Sequence, residues 1–195
     1  MAKRAPALAF HPATAERWAD VERLFGERGA CAGCWCMLWR LPRKDWEAGQ
    51  GEGNRRALRK LVRGGAEPGV LAYRDGEPIG WCAVAPRADY PALARSRVLE
   101  PVDDRPVWSV ACLFVARPHR RCGVSARLLE AAVVHAGRHG ATIVEGYPTV
   151  PSTDRAPDAF LWTGTAAAFE WAGFREVARR SPTRPIVRRK TRRAK

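Results

Sequence analysis

The chain has 195 residues, a length typical of one domain, and we expect a single domain over residues 1–195. Hydrophobic residues make up 46% of the chain, which is enough for a core, yet no window approaches the ~18 continuous apolar residues of a membrane span. The N-terminus lacks the apolar stretch of a signal peptide, so the sequence predicts a cytoplasmic protein without a membrane partner.

The formal net charge is +14, and nine basic residues lie between Arg179 and Lys195, a stretch without acids. A basic balance favours anionic partners, either nucleic acid or the phosphates of a small cofactor. Residues 184–189 have the pattern of a last strand, which leaves only a short basic tail from about residue 188. We therefore do not expect a dedicated nucleic-acid arm.

The first half of the chain predicts two helices, a cysteine-rich loop and a β-hairpin. Apolar residues at three- and four-residue spacing predict an amphipathic helix over 12–28, and a basic helix over 54–63 follows the loop. Two β-type runs, 70–74 and 79–85, flank an Asp-Gly dipeptide. Asp-Gly between such runs is typical of a hairpin turn, so we expect the two strands to pair antiparallel.

The second half predicts a strand, a helix and a second strand in succession. Residues 107–115 are apolar without polar alternation, as in a strand covered on both faces. A helix is expected from Val124 to its stop at Gly140, followed by a buried strand over 141–147. This order predicts a right-handed parallel crossover. A helix over 165–172 and strands around 174–179 and 185–189 complete the predicted elements.

The segment after the strand 107–115 has the composition of a phosphate-binding turn. Its one glycine, Gly123, directly precedes the predicted helix. A helix N-terminus presents N–H groups without intrahelical partners and a positive dipole, and glycine lets a ligand approach the backbone closely. The segment therefore predicts an anion site, with an ordinary turn and solvated arginines as the alternative. The basic residues of this turn are Arg117, Arg120 and Arg121, with His119 between them.

The same residues resemble the signature of the GNAT family of N-acetyltransferases. After a strand, that signature has Gln or Arg, two residues, Gly, one residue, and Gly or Ala. Here the three positions hold Arg120, Gly123 and Ser125, so a serine replaces the final Gly or Ala. The predicted elements follow the family's order up to the Ala-Gly-Phe run at 172–174, and the resemblance covers nearly the whole chain.

The resemblance implies an α/β fold of the acyl-CoA N-acyltransferase type. Its mixed central sheet, flanked by helices, would be splayed between the strands 107–115 and 141–147, with acetyl-CoA in the gap. The main chain of Leu113 and Val115 would pair with the pantetheine and acetyl groups, and the amides of the turn would hold the pyrophosphate. The residues that the resemblance assigns to acetyl-CoA are Leu113, Phe114, Val115, Arg120, Arg121, Cys122, Gly123, Val124, Ser125, Ala126 and Phe169.

The resemblance also implies direct attack of an amine on the thioester, which needs an acceptor for the amine proton and a donor for the thiolate. Many family members take the donor from a tyrosine at the position that Phe169 occupies here, and a phenyl ring cannot donate. Tyr147 is the nearest replacement as the acid, and Glu145, two residues earlier on the same strand face, is the candidate base. For Glu145, a structural ion pair with one of the many arginines is the alternative.

Three cysteines, Cys31, Cys34 and Cys36, form a C-x-x-C-x-C run that is similar to part of a zinc site. No second C-x-x-C follows, and the interleaved aromatic residues indicate packing. We therefore expect no bound metal, and we expect the six cysteines to be reduced.

The acceptor pocket is expected where the fold constrains the chain least. The segments 31–46, 86–105 and 148–163 meet this description. In the first of them, the candidate wall residues are Trp35, Trp39 and Arg40.

Two functions from different classes are compatible with the sequence. The first is acetyl transfer from acetyl-CoA to a primary amine of a small-molecule or peptide acceptor, by a monomer or homodimer. The second is a catalytically silent CoA-binding or nucleic-acid-binding module, which Phe169 and the basic C-terminus suggest. Turnover with an amine distinguishes them.

Overall fold

A mixed β-sheet forms the centre of the protein. The computed structural model describes residues 7–150 and 162–191, and within these residues seven strands form one sheet. The strands are β1 (Leu8–Pro12), β2 (Gly69–Arg74), β3 (Glu77–Pro86), β4 (Trp108–Val115), β5 (Ile143–Gly146), β6 (Arg175–Arg179) and β7 (Pro185–Lys190). Their order across the sheet is β1-β2-β3-β4-β5-β7-β6, and only β4 and β5 pair in parallel.

The sheet is splayed between β4 and β5. The two strands pair only where Trp108–Val110 faces Val144–Gly146, and β4 continues beyond this pairing to Val115. A β-bulge at Ala111 lies where the pairing ends, because the register between β3 and β4 shifts by one residue there. The far half of β4 therefore has no strand partner on its β5 side among the described residues.

Helices cover both faces of the sheet. On one face, α5 and α6 pack on alternate residues of β2, β3 and β4, whereas α1 and α3 pack on the intervening residues from the other face. No helix in the described ranges has the length and apolar character needed to cross a membrane. The helices are α1 (Trp18–Phe25), α2 (Arg43–Ala48), α3 (Glu52–Arg63), α4 (Pro91–Ala94), α5 (Val124–Arg138) and α6 (Ala166–Trp171).

The structure confirms the predicted hairpin and the predicted crossover. β2 and β3 pair antiparallel across the Asp-Gly turn, and β4, α5 and β5 form the parallel unit. α5 begins at Val124 as expected, and Gly140 follows its end with a φ of +82°. The α/β fold with a mixed, splayed sheet flanked by helices is thus the observed one.

The prediction for the N-terminal segment is wrong in its bounds. Residues 8–12 form the edge strand β1, which pairs with β2, and the helix over 12–28 is reduced to α1 after a short 3-10 turn. Helix α1 ends at Phe25 because Gly26 takes a φ of +60°. The spacing of apolar residues did not indicate β1, because its partner strand β2 lies about sixty residues further along the chain.

The described part of the basic C-terminal segment, residues 179–191, belongs to the fold, and residues 192–195 of the predicted tail lie outside the described residues. β7 runs to Lys190, so the residues from about 188 to 190, predicted as the start of a tail, lie in a strand. Arg180 donates to the carbonyls of Glu100 and Pro101, and Arg188 is 93% buried in its side chain and paired with two carboxylates. Several of the basic side chains whose composition is typical of a nucleic-acid arm are therefore bound to other groups of the protein.

Candidate anion-binding cleft

The turn between β4 and α5 brings backbone amides to the wall of a cleft. Arg121 and Gly123 both have left-handed backbone conformations, with φ of +60° and +73°, and Gly123 is the residue before the first helical residue. A Cβ built on Gly123 would meet no atom within 4 Å, so the space beside it is open. Glycine therefore serves the backbone conformation and the close approach of a ligand here, and internal packing does not require it.

The N-terminus of α5 offers unpaired hydrogen-bond donors. The amide of Arg127 donates to the carbonyl of Gly123 at 3.2 Å, so the three helical amides before it have no acceptor within the helix. The helix has no acidic residue in its first turn and no side-chain cap on this end. Its dipole therefore adds positive potential that no carboxylate of its own first turn offsets.

Basic side chains add to this potential. Arg121 is exposed beside the turn, and Arg120 donates from Nε to the carbonyl of Val115 at 2.9 Å, which ties the turn to the end of β4. His119 lies with Nδ1 at 3.3 Å from Nη1 of Arg74. The described residues lining the cleft include no Asp or Glu, so the cleft favours an anion.

The cleft has a volume of about 620 Å³ and extends from this turn into the gap between β4 and β5. Nine of the residues assigned from sequence line it: Leu113, Phe114, Val115, Arg120, Arg121, Gly123, Val124, Ser125 and Ala126. Cys122 is exposed on the turn but is not among the lining residues. Cys31 and Trp162, from the segments 31–46 and 148–163 predicted for the acceptor pocket, also line the cleft. The sequence did not single out the other lining residues, because no local motif marks residues that meet only in the fold: Ala30, Gly164, Thr165, Ala168 and Trp171.

A segment of the chain itself occupies the inner end of the gap. The amide of Leu113, which the family resemblance assigns to pantetheine, donates to the carbonyl of Trp162 at 2.7 Å. On the other side, Thr149 forms a parallel bridge with Thr165. Gly164 passes so close that a Cβ on it would lie 2.7 Å from Cδ1 of Leu113. Residues 162–165 thus lie like a short strand between the separated strands.

Phe169 is a core residue. Its side chain is fully buried, packs edge to face on Phe174 with ring centroids 5.0 Å apart, and lies against Gly146 and Gly164. It is not among the described residues that line the cleft, so its assignment to acetyl-CoA stays a prediction. Because a Cβ on Gly146 would lie 2.1 Å from the ring, the glycine in β5 makes room for the phenyl group.

Glu145 and Tyr147 form a buried hydrogen-bond network at the end of β5. The Glu145 carboxylate accepts from Arg87 at 2.9 Å, from Arg188 at 2.7 Å and from the Tyr147 hydroxyl at 2.7 Å. Ser109 lies 2.8 Å from the same hydroxyl. Both side chains are almost completely buried, and neither is among the described residues that line the cleft. The ion pair with arginine, left open for Glu145 by the sequence, is therefore present.

The network also affects the acidity of Tyr147. Burial and the neighbouring charge of Glu145 raise the pKa of the Tyr147 phenol well above its usual range. A phenol with a raised pKa gives up its proton less readily, and here its hydrogen bond already goes to Glu145. This geometry favours a positioning role for Tyr147 over proton donation to a leaving thiolate.

The three candidate acceptor residues lie in two different environments. Trp35 is 4% exposed, with its ring centroid 5.4 Å from that of Phe25, so it is a core residue and not available as a pocket wall. Trp39 lies 5.8 Å, between ring centroids, from Trp162, which lines the cleft. Arg40 donates to the Tyr90 hydroxyl at 3.2 Å and lies over the Tyr90 ring. Of the three predicted wall residues, only Trp39 and Arg40 therefore remain candidates for the acceptor pocket. Residues 151–161 of the predicted pocket lie outside the described residues.

All six cysteines are free thiols. Cys36 and Cys112 approach with their sulfur atoms 3.3 Å apart. This contact and burial raise the pKa of Cys36, and burial raises the pKa of Cys82. The thiols of Cys36 and Cys82 therefore stay protonated at neutral pH, as expected of small buried side chains. Asn54, which the sequence did not single out, holds the cysteine-rich loop by donating to the carbonyls of Gly33 and Trp46, each at 3.1 Å.

The comparison with known families gives one match. Residues 35–158 match the model of the acetyltransferase (GNAT) family, which is more than half of the chain. The matched stretch contains β4, the turn and all of α5, and so includes the glycine turn of the cleft. No curated protein sequence matches the chain.

Solved structures show the same fold at low sequence identity. A GNAT acetyltransferase from Streptococcus agalactiae is 12% identical with a TM-score of 0.55, and the match covers 95% of this chain and 96% of that one. The PaiA N-acetyltransferase of Thermoplasma acidophilum, in complex with coenzyme A, is 10% identical with a TM-score of 0.50, covering 94% and 99%. The Salmonella typhimurium protein yncA, with its cofactor acetyl-CoA, is 14% identical with a TM-score of 0.52, covering 94% of each chain.

Proposed function

Since the chain belongs to the acetyltransferase (GNAT) family, we propose that it transfers an acetyl group from acetyl-CoA to a primary amine of a small-molecule or peptide acceptor. The observation that carries this proposal is the open glycine turn at the N-terminus of α5, which borders a basic cleft beside the splay of the sheet. Two of the solved structures with this fold contain coenzyme A or acetyl-CoA, which supports the choice of donor.

The cleft fits a phosphate-bearing donor. The amides of Val124, Ser125 and Ala126, with those of the preceding turn, are the groups that would hold a pyrophosphate. Arg121 supplies a positive charge that solvent can reach. Trp171, which is 62% exposed although it lines the cleft, presents an apolar ring surface to which a flat aromatic group of a ligand could pack.

The acyl end of the donor would reach the splay. Val115 lies on the half of β4 that lacks a strand partner, so its main chain remains the candidate for pairing with pantetheine. Leu113 can make the same pairing only if its amide exchanges the carbonyl of Trp162 for the ligand. We therefore expect donor binding to break the hydrogen bond between the Leu113 amide and the Trp162 carbonyl and to move the segment 162–165.

Acetyl-CoA supplies an activated thioester, and the chain must orient the amine and manage its proton. The described lining residues of the cleft contain no carboxylate, and Glu145 is held by two arginines. The roles of Glu145 as base and Tyr147 as acid stay predictions. Arg87 donates to both Glu145 and Tyr147, so we expect these two side chains to hold Arg87 in position, with water as the alternative acceptor of the amine proton.

A catalytically silent CoA-binding module is the second candidate. Two observations favour it: Phe169 supplies no phenol at the family's usual donor position, and the described part of the cleft lacks a carboxylate. This alternative shares the cleft with the enzyme and differs only in turnover.

A screen of amines distinguishes the two candidates. The full chain is incubated with acetyl-CoA and a panel of free amino acids, polyamines and lysine-containing peptides, and release of the free thiol is measured. Thiol release that depends on an amine and is lost in Gly123→Val supports the enzyme. Calorimetric binding of CoA without turnover on any amine supports the silent module, and absence of CoA binding contradicts both.

A further inference from the structure

A second cluster of chemically active side chains lies at the opposite end of α5 from Gly123. His135 lies in the last turn of α5 and His139 is the residue that caps its end, and their ring centroids are 4.6 Å apart. Glu67, from the loop before β2, brings its carboxylate Oε2 to 2.9 Å from Nε2 of His139 and 3.7 Å from Nδ1 of His135. One ligand atom from each of the three residues lies within 4.8 Å of the others.

The hydrogen bond made by Nε2 of His135 determines which ring nitrogen carries the proton and which carries the lone pair. Nε2 of His135 lies 3.3 Å from the carbonyl oxygen of Glu67. A carbonyl only accepts hydrogen bonds, so Nε2 carries the proton and Nδ1 of the neutral ring is bare. That bare nitrogen faces the Glu67 carboxylate, which is also only an acceptor. A metal-ligating histidine is typically held in this way, with its other nitrogen bonded to a carbonyl or carboxylate.

A tryptophan holds both imidazole rings. Trp108 stacks on His139 with centroids 5.4 Å apart and an interplanar angle of 24°, and it meets His135 edge to face at 5.8 Å. Tetrahedral zinc with bonds of ~2.0–2.1 Å requires ligand atoms about 3.3 Å apart. The distances of 2.9 and 3.7 Å from Glu67 to the two imidazoles lie on either side of this value. The ligand nitrogens of the two imidazoles lie within 4.8 Å of each other, so a bound ion would draw the three groups together.

We propose that Glu67, His135 and His139 form a binding site for a divalent transition-metal ion, with zinc as the best fit. Two imidazoles and one carboxylate are a donor set that zinc accepts, and the C-terminal end of a helix favours a cation. The side chains of Glu67 and His139 are 29% and 42% exposed, so a fourth position is open to water. A bound ion would link the loop before β2 to the end of α5 and stabilise the fold.

This site is separate from the run of Cys31, Cys34 and Cys36, whose spacing is similar to part of a zinc site. It is also separate from the proposed acetyl-donor cleft, because the 15 residues of α5 span about 22 Å. The proposal therefore does not depend on the proposed function.

Calorimetry on full-length protein tests the proposal. The protein is freed of any affinity tag, dialysed against a chelator and titrated with zinc chloride. We expect one zinc ion per chain with micromolar or tighter affinity, and a loss of about 50-fold or more in His139→Ala. His11→Ala, which removes a histidine on β1, is the matched control and should bind zinc like the wild type.

A second metal and a second variant identify the ligands. Cobalt(II) in a site with imidazole and carboxylate ligands gives visible d–d absorption, and only thiolate ligation adds a near-ultraviolet charge-transfer band. We expect the first without the second, with full binding retained in Cys34→Ser. Because His139 is partly exposed, the His139→Ala variant should fold, and its circular dichroism spectrum checks this. Equal zinc affinity in wild type and His139→Ala, or loss of binding in Cys34→Ser, would overturn the proposal.

Discussion

The two ends of α5 present opposite chemistry. The N-terminal end has an open glycine turn, backbone amides without acceptors in the helix, and arginines beside the turn. Its first turn contains no acidic residue. The C-terminal end brings together two imidazoles and the carboxylate of Glu67. The helix dipole has the same direction in both cases, favouring anions at its start and cations at its end. One helix can therefore favour opposite charges at its two ends when loops supply the matching side chains.

The largest expected effect concerns the glycine at the start of the helix. We expect Gly123→Val to weaken acetyl-CoA binding by about 100-fold, since a branched side chain at positive φ displaces the turn and removes charge-assisted hydrogen bonds to phosphate, worth about 1.5–3 kcal/mol each. Isothermal titration measures this loss. Gly140→Val is the matched control at the other end, because Gly140 has a φ of +82° and equally open space.

Both valine variants carry a similar backbone strain of about 1–2 kcal/mol, which appears in their thermal unfolding. Only Gly123→Val should lose donor affinity. An equal loss in Gly140→Val would show that strain alone, rather than the site at the start of α5, accounts for the effect.

The next effect concerns the buried network of Glu145 and Tyr147, which lies at the end of β5. We expect Tyr147→Phe to lower the free energy of unfolding by about 1–3 kcal/mol, because the buried partners Glu145, Arg87 and Ser109 lose a hydroxyl. Denaturant titration measures it, with Tyr90→Phe as a control for loss of another buried phenol that bonds an arginine.

The same variant tests the acid assignment once an acceptor is known. If Tyr147 only positions the network, kcat should change by less than about threefold, whereas loss of a general acid would lower kcat by ~10²-fold with little change in acetyl-CoA affinity. A fall of that size would restore Tyr147 as the proton donor.

A smaller effect is expected from a single arginine at the anion end. Arg121→Gln should weaken acetyl-CoA binding about three- to fivefold, and the difference from wild type should shrink at high salt, because the exposed charge is screened. Arg127→Gln is the matched control, since Arg127 is also exposed but lies within α5 rather than in the turn before it, 3.3 Å from Glu130. Salt-independent loss in Arg121→Gln would point to a change in turn geometry.

The smallest effect is the coupling between the two ends. Because the sites lie about 22 Å apart on a helix with fixed packing, we expect saturating zinc to change acetyl-CoA affinity by less than about twofold. Titration of acetyl-CoA with and without zinc measures the coupling. A larger change would show that α5 transmits the state of one end to the other.

The sequence by itself determined the parts of the molecule that are encoded locally. The Asp-Gly hairpin, the strand before Arg120 and the helix beginning at Val124 each depend on neighbouring residues, so spacing and turn chemistry were sufficient to predict them. The anion-binding turn was predicted for the same reason, since the glycine, the arginines and the helix N-terminus are contiguous. The resemblance to the family was carried by these same residues.

Only the tertiary structure decided which distant residues meet. The carboxylate of Glu145 lies between Arg87 and Arg188 because the order of strands in the sheet brings β5 beside β7 and leaves only β4 between β5 and β3, the strand that Arg87 follows. Trp162 bonds Leu113, and Glu67 meets His135, across sequence separations that no local period records. Local patterns were sufficient for most elements, although they missed β1 and misplaced the start of α1, whereas sheet order and register fix which side chains share a site.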